Sequence, residues 1–422
     1  MQTTRNVSPT GTGEPRLLVL TTSVLSLNLL RGQLRFFREA GFDVTVACSP
    51  DPFLDSFARE ECARAEAIPI FRQIDALRDV ISLWRIWKCI RRHRPTVMSV
   101  STPKAGLLGG LAAWFSRVPC RVYVLRGLRG ETSRGARRWF LLLFERLACR
   151  MAHRVICVSQ SLREQAIGSG VVRPDRAVVL GEGSSNGVDP TRFAPTSEQL
   201  RQAAAIRISS GIPHDAPVVG FVGRLTRDKG IQDLLEAFSC LRERFAELRL
   251  ILVGEFETGD AVPADIRNQI FVDPRIICTG FVSDPAPYYH VIDILALPSH
   301  REGFPNAVLE AHAAGKPVVG ARATGTVDAI SDGINGILVP VGDAPAFAKA
   351  IADLLSHPQL AREMGRAGSE RVEREFRPQR IWTALLEEYS RLLHERGLPA
   401  PRKTVDSQSK SILPSRTTVP AS

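Results

Sequence analysis

The sequence predicts an α/β protein that consists of two doubly wound domains, each a parallel sheet with helices on both faces. Three observations carry this prediction. Apolar runs of strand length alternate with helical patterns from residue 16 onward, and the same alternation restarts at residue 216. A polar, Pro-rich stretch separates the two series, and a length of 422 residues suits two or three domains.

The first series begins at the apolar strand RLLVLTT, which precedes a helical pattern that Gly41 terminates. Strands rich in Val, Ile and Leu then alternate with helices whose apolar residues recur every three to four positions. The predicted elements are strand 16–22, helix 29–41, strand 42–49, helix 76–94, strand 95–102, strand 120–127, a long helix, and strand 153–161.

The second series shows the same alternation and ends in three consecutive helices. Its predicted elements are strand 216–225, helix 230–245, strands 248–255, 275–281 and 292–299, helix 305–314, strands 316–322 and 336–343, and helices 344–356, 358–375 and 378–396. In parallel sheets of this kind, ligands bind beyond the carboxyl ends of the strands, and two such domains also offer the cleft between them.

These elements divide the chain into two domains, a linker and two tails. We expect a disordered tail over 1–14, a first domain over 15–190, a linker over 191–215, a second domain over 216–377 and a disordered tail over 400–422. The last helix, 378–396, is expected to return to the first domain and complete it.

Composition argues against several classes of protein. No apolar run reaches the ~18 residues of a membrane-spanning helix, and the polar N-terminus does not resemble a signal peptide. The eight cysteines show no C-x-x-C spacing, which predicts free thiols in a reducing cytoplasm and neither a zinc nor a redox motif.

Basic charge is concentrated in the first domain. Residues 78–154 carry 17 basic and 3 acidic side chains, in a chain whose formal net charge is +11. The helices of this stretch mix cations with aromatic residues, among them Trp84, Trp87 and Trp139. Such a mixture suits an anionic bilayer surface, although a helix with core-facing aromatics and solvated arginines would have the same composition. Nucleic acid would also match the charge, but the chain has no helix-turn-helix, zinc or RNP-type motif.

The segment GRLTRDKGI, at the end of the strand 216–225, suggests a phosphate site. Gly223 follows the strand, and Arg224 and Lys229 flank the start of the next helix. Unpaired N–H groups and the dipole at a helix N-terminus attract phosphate, and the two cations add full positive charges. An ordinary strand-to-helix turn with solvated cations is the alternative interpretation.

A second segment, SHREGFPNAVLEAHAAGKPVV, places two carboxylates eight residues apart around a helix start. Glu302 precedes the helix and Glu310 lies on its second turn, so one carboxylate could contact a sugar ring and the other a ribose hydroxyl pair. A favourable first-turn anion beside a surface glutamate is the alternative. The chain has no Asp-x-Asp pair, and His300 and His312 lack metal-ligand spacing, so we expect no metal.

Together with TGFV (279–282) and ATGTVDAISDGINGILVPVGD (323–343), these segments resemble the nucleotide-sugar-binding half of a family 4 glycosyltransferase. That class is retaining and has the GT-B fold, in which two Rossmann-like domains face a central cleft. The resemblance implies that Arg224 and Lys229 bind the donor diphosphate, that Glu302 faces the transferred sugar and that Glu310 holds the ribose. It assigns catalysis to Glu302, Arg224 and Lys229, without cofactor or metal, and donor binding to Gly32, Gly223, Arg224, Lys229, Phe281, Glu302, Phe304, Asn306, Ala307 and Glu310.

The first half resembles the branch of that family that extends undecaprenyl-diphosphate-linked sugars in capsule, O-antigen or glycan assembly, through stretches such as LLRGQLRFFREAGFDV and YVLRGLRGE. The resemblance implies a UDP-linked donor and a polyprenyl-diphosphate-linked sugar acceptor that Lys104 and Arg126 meet. It also implies a cytoplasmic enzyme held peripherally at the inner face of the plasma membrane. Many relatives place a histidine where this chain has Arg126, whose guanidinium suits diphosphate charge. In such enzymes the leaving phosphate accepts the acceptor proton, so no general base is assigned.

Other functions are compatible with parts of the sequence. A UDP-sugar 2-epimerase has the same two-domain fold but needs acid and base residues for proton abstraction, and no matching constellation is evident. A Rossmann dehydrogenase would carry G-x-G-x-x-G after the first strand, where residues 21–33 are TTSVLSLNLLRGQ. A protein that binds sugar nucleotides without turnover, or one that binds nucleic acid, is a further alternative.

Overall fold

A computed structural model of the chain describes residues 13–71, 75–257 and 259–401. The tails predicted at 1–14 and 400–422 lie almost entirely outside these residues. The described residues form two sheets in which every strand pairing is parallel, each sheet belonging to one domain. The predicted fold class is therefore confirmed.

The first domain contains a seven-stranded sheet in the order β3-β2-β1-β4-β5-β6-β7. Its strands are β1 (Arg16–Leu20), β2 (Asp43–Cys48), β3 (Arg64–Ala67), β4 (Val97–Ser101), β5 (Cys120–Leu125), β6 (Arg154–Cys157) and β7 (Ala177–Val178). Its helices are α1 (Gln33–Ala40), α2 (Pro52–Glu60), α3 (Ala76–His93), α4 (Pro103–Phe115), α5 (Gly135–Met151) and α6 (Gln160–Gly168). A 3-10 segment, Val24–Leu30, lies between β1 and α1.

The second domain contains a six-stranded sheet in the order β10-β9-β8-β11-β12-β13. Its strands are β8 (Val218–Val222), β9 (Arg249–Val253), β10 (Ile276–Gly280), β11 (Ile294–Leu297), β12 (Val318–Ala321) and β13 (Gly336–Val339). The helices that follow the first domain are α7 (Ser197–Ser209), α8 (Ile231–Arg244), α9 (Ala264–Val272), α10 (Ala286–Val291), α11 (Asn306–Ala313), α12 (Thr326–Ala329), α13 (Ala344–Ser356), α14 (Pro358–Glu375) and α15 (Pro378–Glu395).

The last helix, α15, packs on the first sheet. The ring of Tyr389 stacks on Phe37 of α1 with centroids 5.4 Å apart. The guanidinium of Arg154, at the start of β6, donates to the carboxylate of Glu388 at 2.7 Å, and that carboxylate has no solvent exposure. The C-terminal helix therefore ties the two domains together.

The predicted linker 191–215 contains helix α7, which packs against α10 of the second domain. Several short elements were not predicted, namely α2, β3, α6, β7, α9, α10 and α12. Helix α4 was not predicted because its sequence, PKAGLLGGLAAWF, is apolar on all sides and therefore lacks helical periodicity. The structure explains that composition, since α4 is buried between α3 and α5.

Candidate active site in the cleft between the domains

The two domains meet through loops at the carboxyl ends of their strands. Gly303, in the β11–α11 loop, lies so close to the β5–α5 loop that a Cβ there would be 2.0 Å from the carbonyl oxygen of Arg126. Gly325, after β12, has a φ of 77°, and its Cβ would be 2.4 Å from the carbonyl oxygen of Gly303. Only glycine permits this approach of backbone to backbone.

The β8–α8 turn brings Lys229 to Glu302. Gly230 follows Lys229 with a φ of 69°, and a Cβ there would lie 2.2 Å from the carbonyl oxygen of Pro298, just past the end of β11. Held in this way, the Lys229 Nζ lies 2.5 Å from the Glu302 Oε1, and both side chains are largely shielded from water. Two of the three predicted catalytic side chains are thus in direct contact.

Arg224 points elsewhere. Its guanidinium is half exposed and donates to the Glu257 carboxylate at 2.6 Å. Gly223, the residue before it, has a φ of 152° and lies against Gly254 after β9. The cation therefore flanks the Lys229–Glu302 pair rather than joining it.

Asp228 links these cations. Burial alone would raise the pKa of its carboxyl, but the hydrogen bond from Thr226 and the charges of Arg301, Lys229 and Arg224 outweigh burial and lower that pKa. Arg301 donates to this carboxylate at 2.6 Å. Asp228 and Arg301 were not among the site residues predicted from the sequence, although each adjoins one of them.

The start of helix α11 holds polar atoms without partners. Asn306 is the first helical residue, and its buried Oδ1 has no hydrogen-bond partner among the described residues. The same holds for the Oγ of Ser299, which is fully buried just beyond β11. Buried polar atoms of this kind are rare without a partner, so the site is suited to a polar ligand. Ala307, the next residue, is half-buried.

Glu310, on the second turn of α11, accepts a hydrogen bond from the Tyr289 hydroxyl at 2.7 Å. Burial raises the pKa of this carboxyl, while the Tyr289 hydroxyl and the charge of Arg192 oppose the rise. Glu302 and Glu310 thus differ in environment, since one is paired with a cation and the other with a phenol.

Two aromatic residues predicted to bind the donor lie in different surroundings. The Phe281 side chain, just after β10, is 63% exposed and therefore accessible to a ligand. The Phe304 side chain is 8% exposed and packs on Phe376, with ring centroids 5.3 Å apart. The Phe304 ring thus belongs to the core, and a contact of this residue with the donor stays a prediction.

Packing within the protein by itself requires a glycine at position 32. A Cβ at this position would lie 2.5 Å from the indole of Trp382, which approaches from α15. The Gly32 N–H donates to the Glu61 carboxylate at 2.6 Å, and the amides of Leu34 and Arg35 donate to the same carboxylate at 3.1 Å. A protein carboxylate therefore accepts the amides at the N-terminus of α1, and donor binding at Gly32 stays a prediction.

The two residues predicted to face the acceptor lie after neighbouring strands of the first sheet. Lys104, in the first turn of α4, pairs with Asp79 of α3 at 2.6 Å. Arg126 follows β5, and its buried Nε and Nη1 have no hydrogen-bond partner among the described residues. Burial lowers the pKa of Arg126 to about 10, which leaves the group charged. A buried guanidinium with unpaired N–H groups is suited to an anionic ligand.

A metal site was not predicted, and the described residues contain one group that could hold an ion. Glu66, Cys89 and His93 place a ligand atom each within 4.8 Å of one another, at the edge strand β3. Arg92 and His93 already pair with Glu66 at 3.1 and 2.7 Å. All eight cysteines lie in the described residues and are free. None of the described helices has the length and apolar content to cross a membrane.

Comparison with protein families assigns both halves of the chain. Residues 29–183 match the model described as glycosyl transferase 4-like domain, and residues 216–357 match that of glycosyl transferases group 1. The capsular polysaccharide biosynthesis glycosyltransferase CapM of Staphylococcus aureus is 33% identical over 382 residues, which are 90% of this chain and 98% of CapM. An Escherichia coli enzyme, UDP-Gal:α-D-GlcNAc-diphosphoundecaprenol α-1,3-galactosyltransferase, is 26% identical over 74% of this chain and 79% of its own.

Solved structures show the same architecture. Anabaena HepE in complex with UDP and glucose is similar with a TM-score of 0.74 at 22% identity, over 89% of this chain and 99% of HepE. WaaG, a glycosyltransferase involved in lipopolysaccharide biosynthesis, gives a TM-score of 0.65 at 14% identity, over 85% of this chain and 95% of WaaG. The chain therefore belongs to the group 1 and 4-like glycosyltransferases and has the GT-B fold.

Proposed function

We propose that this glycosyltransferase moves a hexose from a UDP-linked sugar to a polyprenyl-diphosphate-linked saccharide in surface polysaccharide or glycan synthesis. The reaction retains the anomeric configuration and uses no metal. The observation that carries the proposal is the shielded Lys229–Glu302 pair at the carboxyl ends of the second sheet. Glu302 shortly precedes α11, whose first residue, Asn306, has a buried Oδ1 without a hydrogen-bond partner among the described residues. The names of the two curated relatives support it, since one acts in capsule synthesis and the other transfers galactose from UDP-Gal to a diphosphoundecaprenol-linked sugar.

The residues at this site suit stabilisation of a leaving diphosphate. A donor diphosphate competes with Glu302 for the ammonium of Lys229, and Arg224 can turn from Glu257 because its guanidinium is half exposed. Glu302, released from Lys229, then faces the sugar, while Glu310 accepts hydrogen bonds from the ribose. Positioning and charge stabilisation supply the catalysis, and the leaving phosphate takes the proton of the acceptor hydroxyl.

Arg126 supports the acceptor assignment. Its buried Nε and Nη1 have no hydrogen-bond partner among the described residues, and its carbonyl oxygen touches Gly303 beside Glu302. An acceptor diphosphate at Arg126 would therefore lie within the cleft. Lys104, which follows the neighbouring strand β4, adds a second cation once it exchanges Asp79 for phosphate.

A lipid-linked acceptor requires the enzyme to work at a membrane surface, and helix α3 has side chains suited to contact with one. Its exposed apolar side chains recur every three to four residues along one stripe: Leu77, Val80, Ile81, Trp84 and Trp87. Cations lie over the two indoles, Lys88 over Trp84 at 5.3 Å and Arg91 over Trp87 at 5.7 Å. Apolar rings among cations suit an anionic bilayer, which supports a peripheral location at the cytoplasmic face of the plasma membrane.

Calorimetric titration with UDP, GDP and ADP, with and without a chelator, tests the donor assignment. We expect UDP to bind most tightly, the chelator to have no effect, and Lys229→Met to weaken UDP binding by about tenfold or more, because a charge-assisted hydrogen bond is lost. Lys349→Met removes an exposed lysine of α13 and is the matched control. Unchanged affinity in Lys229→Met would refute the phosphate site, and tighter binding of GDP or ADP would change the donor.

Turnover tests the acceptor assignment. With UDP-sugars and a short-chain polyprenyl-diphosphate saccharide, we expect UDP release that depends on the acceptor, and a product whose anomeric configuration by NMR matches that of the donor. An inverted product would contradict the proposed retention. UDP binding without any turnover would favour a sugar-nucleotide-binding protein.

A further inference from the structure

The β11–α11 loop, which carries Glu302, contacts the first domain through Arg301. The Nη2 of Arg301 donates to the Asp228 carboxylate at 2.6 Å, while its Nε donates to the Thr132 hydroxyl at 3.2 Å. Thr132 belongs to the β5–α5 loop of the first domain, and Asp228 immediately precedes Lys229. The Arg301 side chain thus joins the first domain, which is the proposed acceptor domain, to the proposed donor site around Lys229 and Glu302.

A second link runs parallel to the first. The Thr324 hydroxyl donates to the Glu131 carboxylate of the same β5–α5 loop. The carbonyl oxygen of Thr324 accepts the amide N–H of Glu302 at 3.0 Å. The backbone of Glu302 is therefore attached to a residue that is itself held by the first domain.

Backbone packing also holds these loops together where the domains touch. Gly303 lies against the Arg126 carbonyl on one side and receives Gly325 on the other, without space for a Cβ at either contact. The β11–α11 loop is thus clamped between the β5–α5 loop and the residues after β12. Separation of the domains would remove the Arg301–Thr132 and Glu131–Thr324 links together.

Charge gives Arg301 a second role. Asp228 lies near both Lys229 and Arg301, so its carboxylate can pair with either cation. With Arg301 on Asp228, Lys229 remains with Glu302 and available to a donor phosphate. Loss of the guanidinium would allow Asp228 to draw Lys229 away from Glu302.

We propose that Arg301 is a positioning residue that latches the acceptor domain to the donor site, so that Lys229 and Glu302 adopt their working geometry only when the two domains are closed. The inference rests on the proposed function, because that geometry matters for transfer. Arginine is required for this role, since its planar fork reaches Thr132 and Asp228 at once whereas a lysine ammonium offers a single point of charge.

The test compares Arg301→Met, Arg301→Lys and Thr132→Val with Thr132→Ser and Arg242→Met. Thr132→Ser keeps the hydroxyl. Arg242→Met removes an arginine of α8 that pairs with Asp273 at 3.0 Å and is not part of the β11–α11 loop. Four quantities are measured for each variant: kcat, the donor KM, the Kd for UDP, and hydrogen–deuterium exchange of segments 126–134 and 299–305 without ligand.

We expect Arg301→Met to lower kcat about a hundredfold, as a misplacement of about 1 Å does, while the Kd for UDP changes far less. Thr132→Val and Arg301→Lys should shift kcat in the same direction, and both segments should exchange faster in all three variants. Thr132→Ser and Arg242→Met should match the wild type. Equal losses in kcat and UDP affinity, or unchanged exchange in 126–134 for Arg301→Met, would overturn the latch.

The same experiment separates the two proposals. A wild-type protein that neither binds UDP nor releases it from UDP-sugars refutes the proposed function. The exchange data from the ligand-free protein then decide by themselves whether Arg301 couples the two loops, because they need no substrate.

Discussion

At the scale of single residues, three cations predicted to meet phosphate are paired with carboxylates. Lys229 pairs with Glu302, Arg224 with Glu257 and Lys104 with Asp79. Each carboxylate neutralises its cation, so the proposed function requires a diphosphate to exchange these ion pairs. Arg126 differs, because its buried N–H groups have no partner among the described residues.

Glu302→Gln should separate catalysis from nucleotide binding. We expect kcat to fall about a hundredfold or more, because the carboxylate that faces the developing positive charge of the sugar is lost. UDP affinity should stay level or rise, since Lys229 no longer has a competing carboxylate. Steady-state kinetics and UDP calorimetry measure both quantities, and a parallel loss in both would make Glu302 a structural or ribose contact.

Glu145, on the buried side of α5, predicts a pH-dependent stability. Burial raises the pKa of this carboxyl to about 7, although the Tyr123 hydroxyl that donates to it and the charge of Arg129 oppose the rise. Between the unfolded pKa and about 7, the folded chain holds a proton that the unfolded chain has released. The free energy of unfolding therefore falls as the pH rises through this window and levels off above it.

Glu145→Gln should remove that dependence. Relative to the wild type, the variant should gain about 2 kcal/mol between about pH 5 and pH 8, as urea unfolding at the two pH values would show. Glu363→Gln changes an exposed carboxylate of α14 and serves as the control. Parallel pH profiles for the wild type and Glu145→Gln would contradict the assignment.

At the scale of elements, helix ends explain much of the local order. Asp75 accepts from the Arg78 amide at the start of α3, and Asp343 accepts from the Ala346 amide at the start of α13. Helix α1 is stabilised differently, because the carboxylate at its N-terminus comes from Glu61, just after α2. The side chain of Glu61 thus connects the end of α2 to the start of α1.

Glu61→Ala should destabilise the first domain. Three amide donors at the start of α1 would lose their acceptor, and the helix dipole would lose its counter-charge, at a cost of about 2–3 kcal/mol. Urea unfolding measures this loss, with the exposed neighbour Glu60→Ala as the control. A loss no larger than that of Glu60→Ala would show that water replaces the carboxylate.

At the scale of the whole molecule, charge is separated between the domains. Residues 78–154, which include α3 and α5, carry 17 basic side chains against 3 acidic ones. Apolar side chains are exposed on the same helices, with Trp84 55% exposed on α3 and Trp139 60% exposed on α5. This asymmetry supports the proposal that the first domain faces an anionic surface.

Binding to vesicles should follow this asymmetry. We expect sedimentation with vesicles that contain anionic phospholipid, weaker binding as salt rises because the Debye length shortens to about 3 Å at 1 M, and little binding to neutral vesicles. The double variant Trp84→Ser/Trp87→Ser should lose binding, whereas Ile208→Ser, at an exposed apolar residue of α7, should keep it. Equal binding by both variants would place the membrane contact elsewhere.

Local patterns in the sequence determined the fold class and the residues of the donor segments. A buried parallel strand must be apolar throughout, and a helix start needs particular residues. Both can therefore be recognised from a few consecutive residues of the sequence. The turn GRLTRDKGI and the segment from Ser299 to Val319 contain such patterns, and the resemblance then supplied the predicted roles of Lys229 and Glu302.

The tertiary structure alone decided which partner each charged or aromatic side chain takes. Arg301 donates to Thr132 at a separation of 169 residues, the Glu61 carboxylate accepts the amide of Gly32 before α1, and the Phe304 ring packs in the core against Phe376. Periodicity records whether a residue is apolar or charged, but it does not record distances between segments far apart in the chain. Those distances follow from packing of the two sheets and α15, and they select one partner among many of the same chemical type.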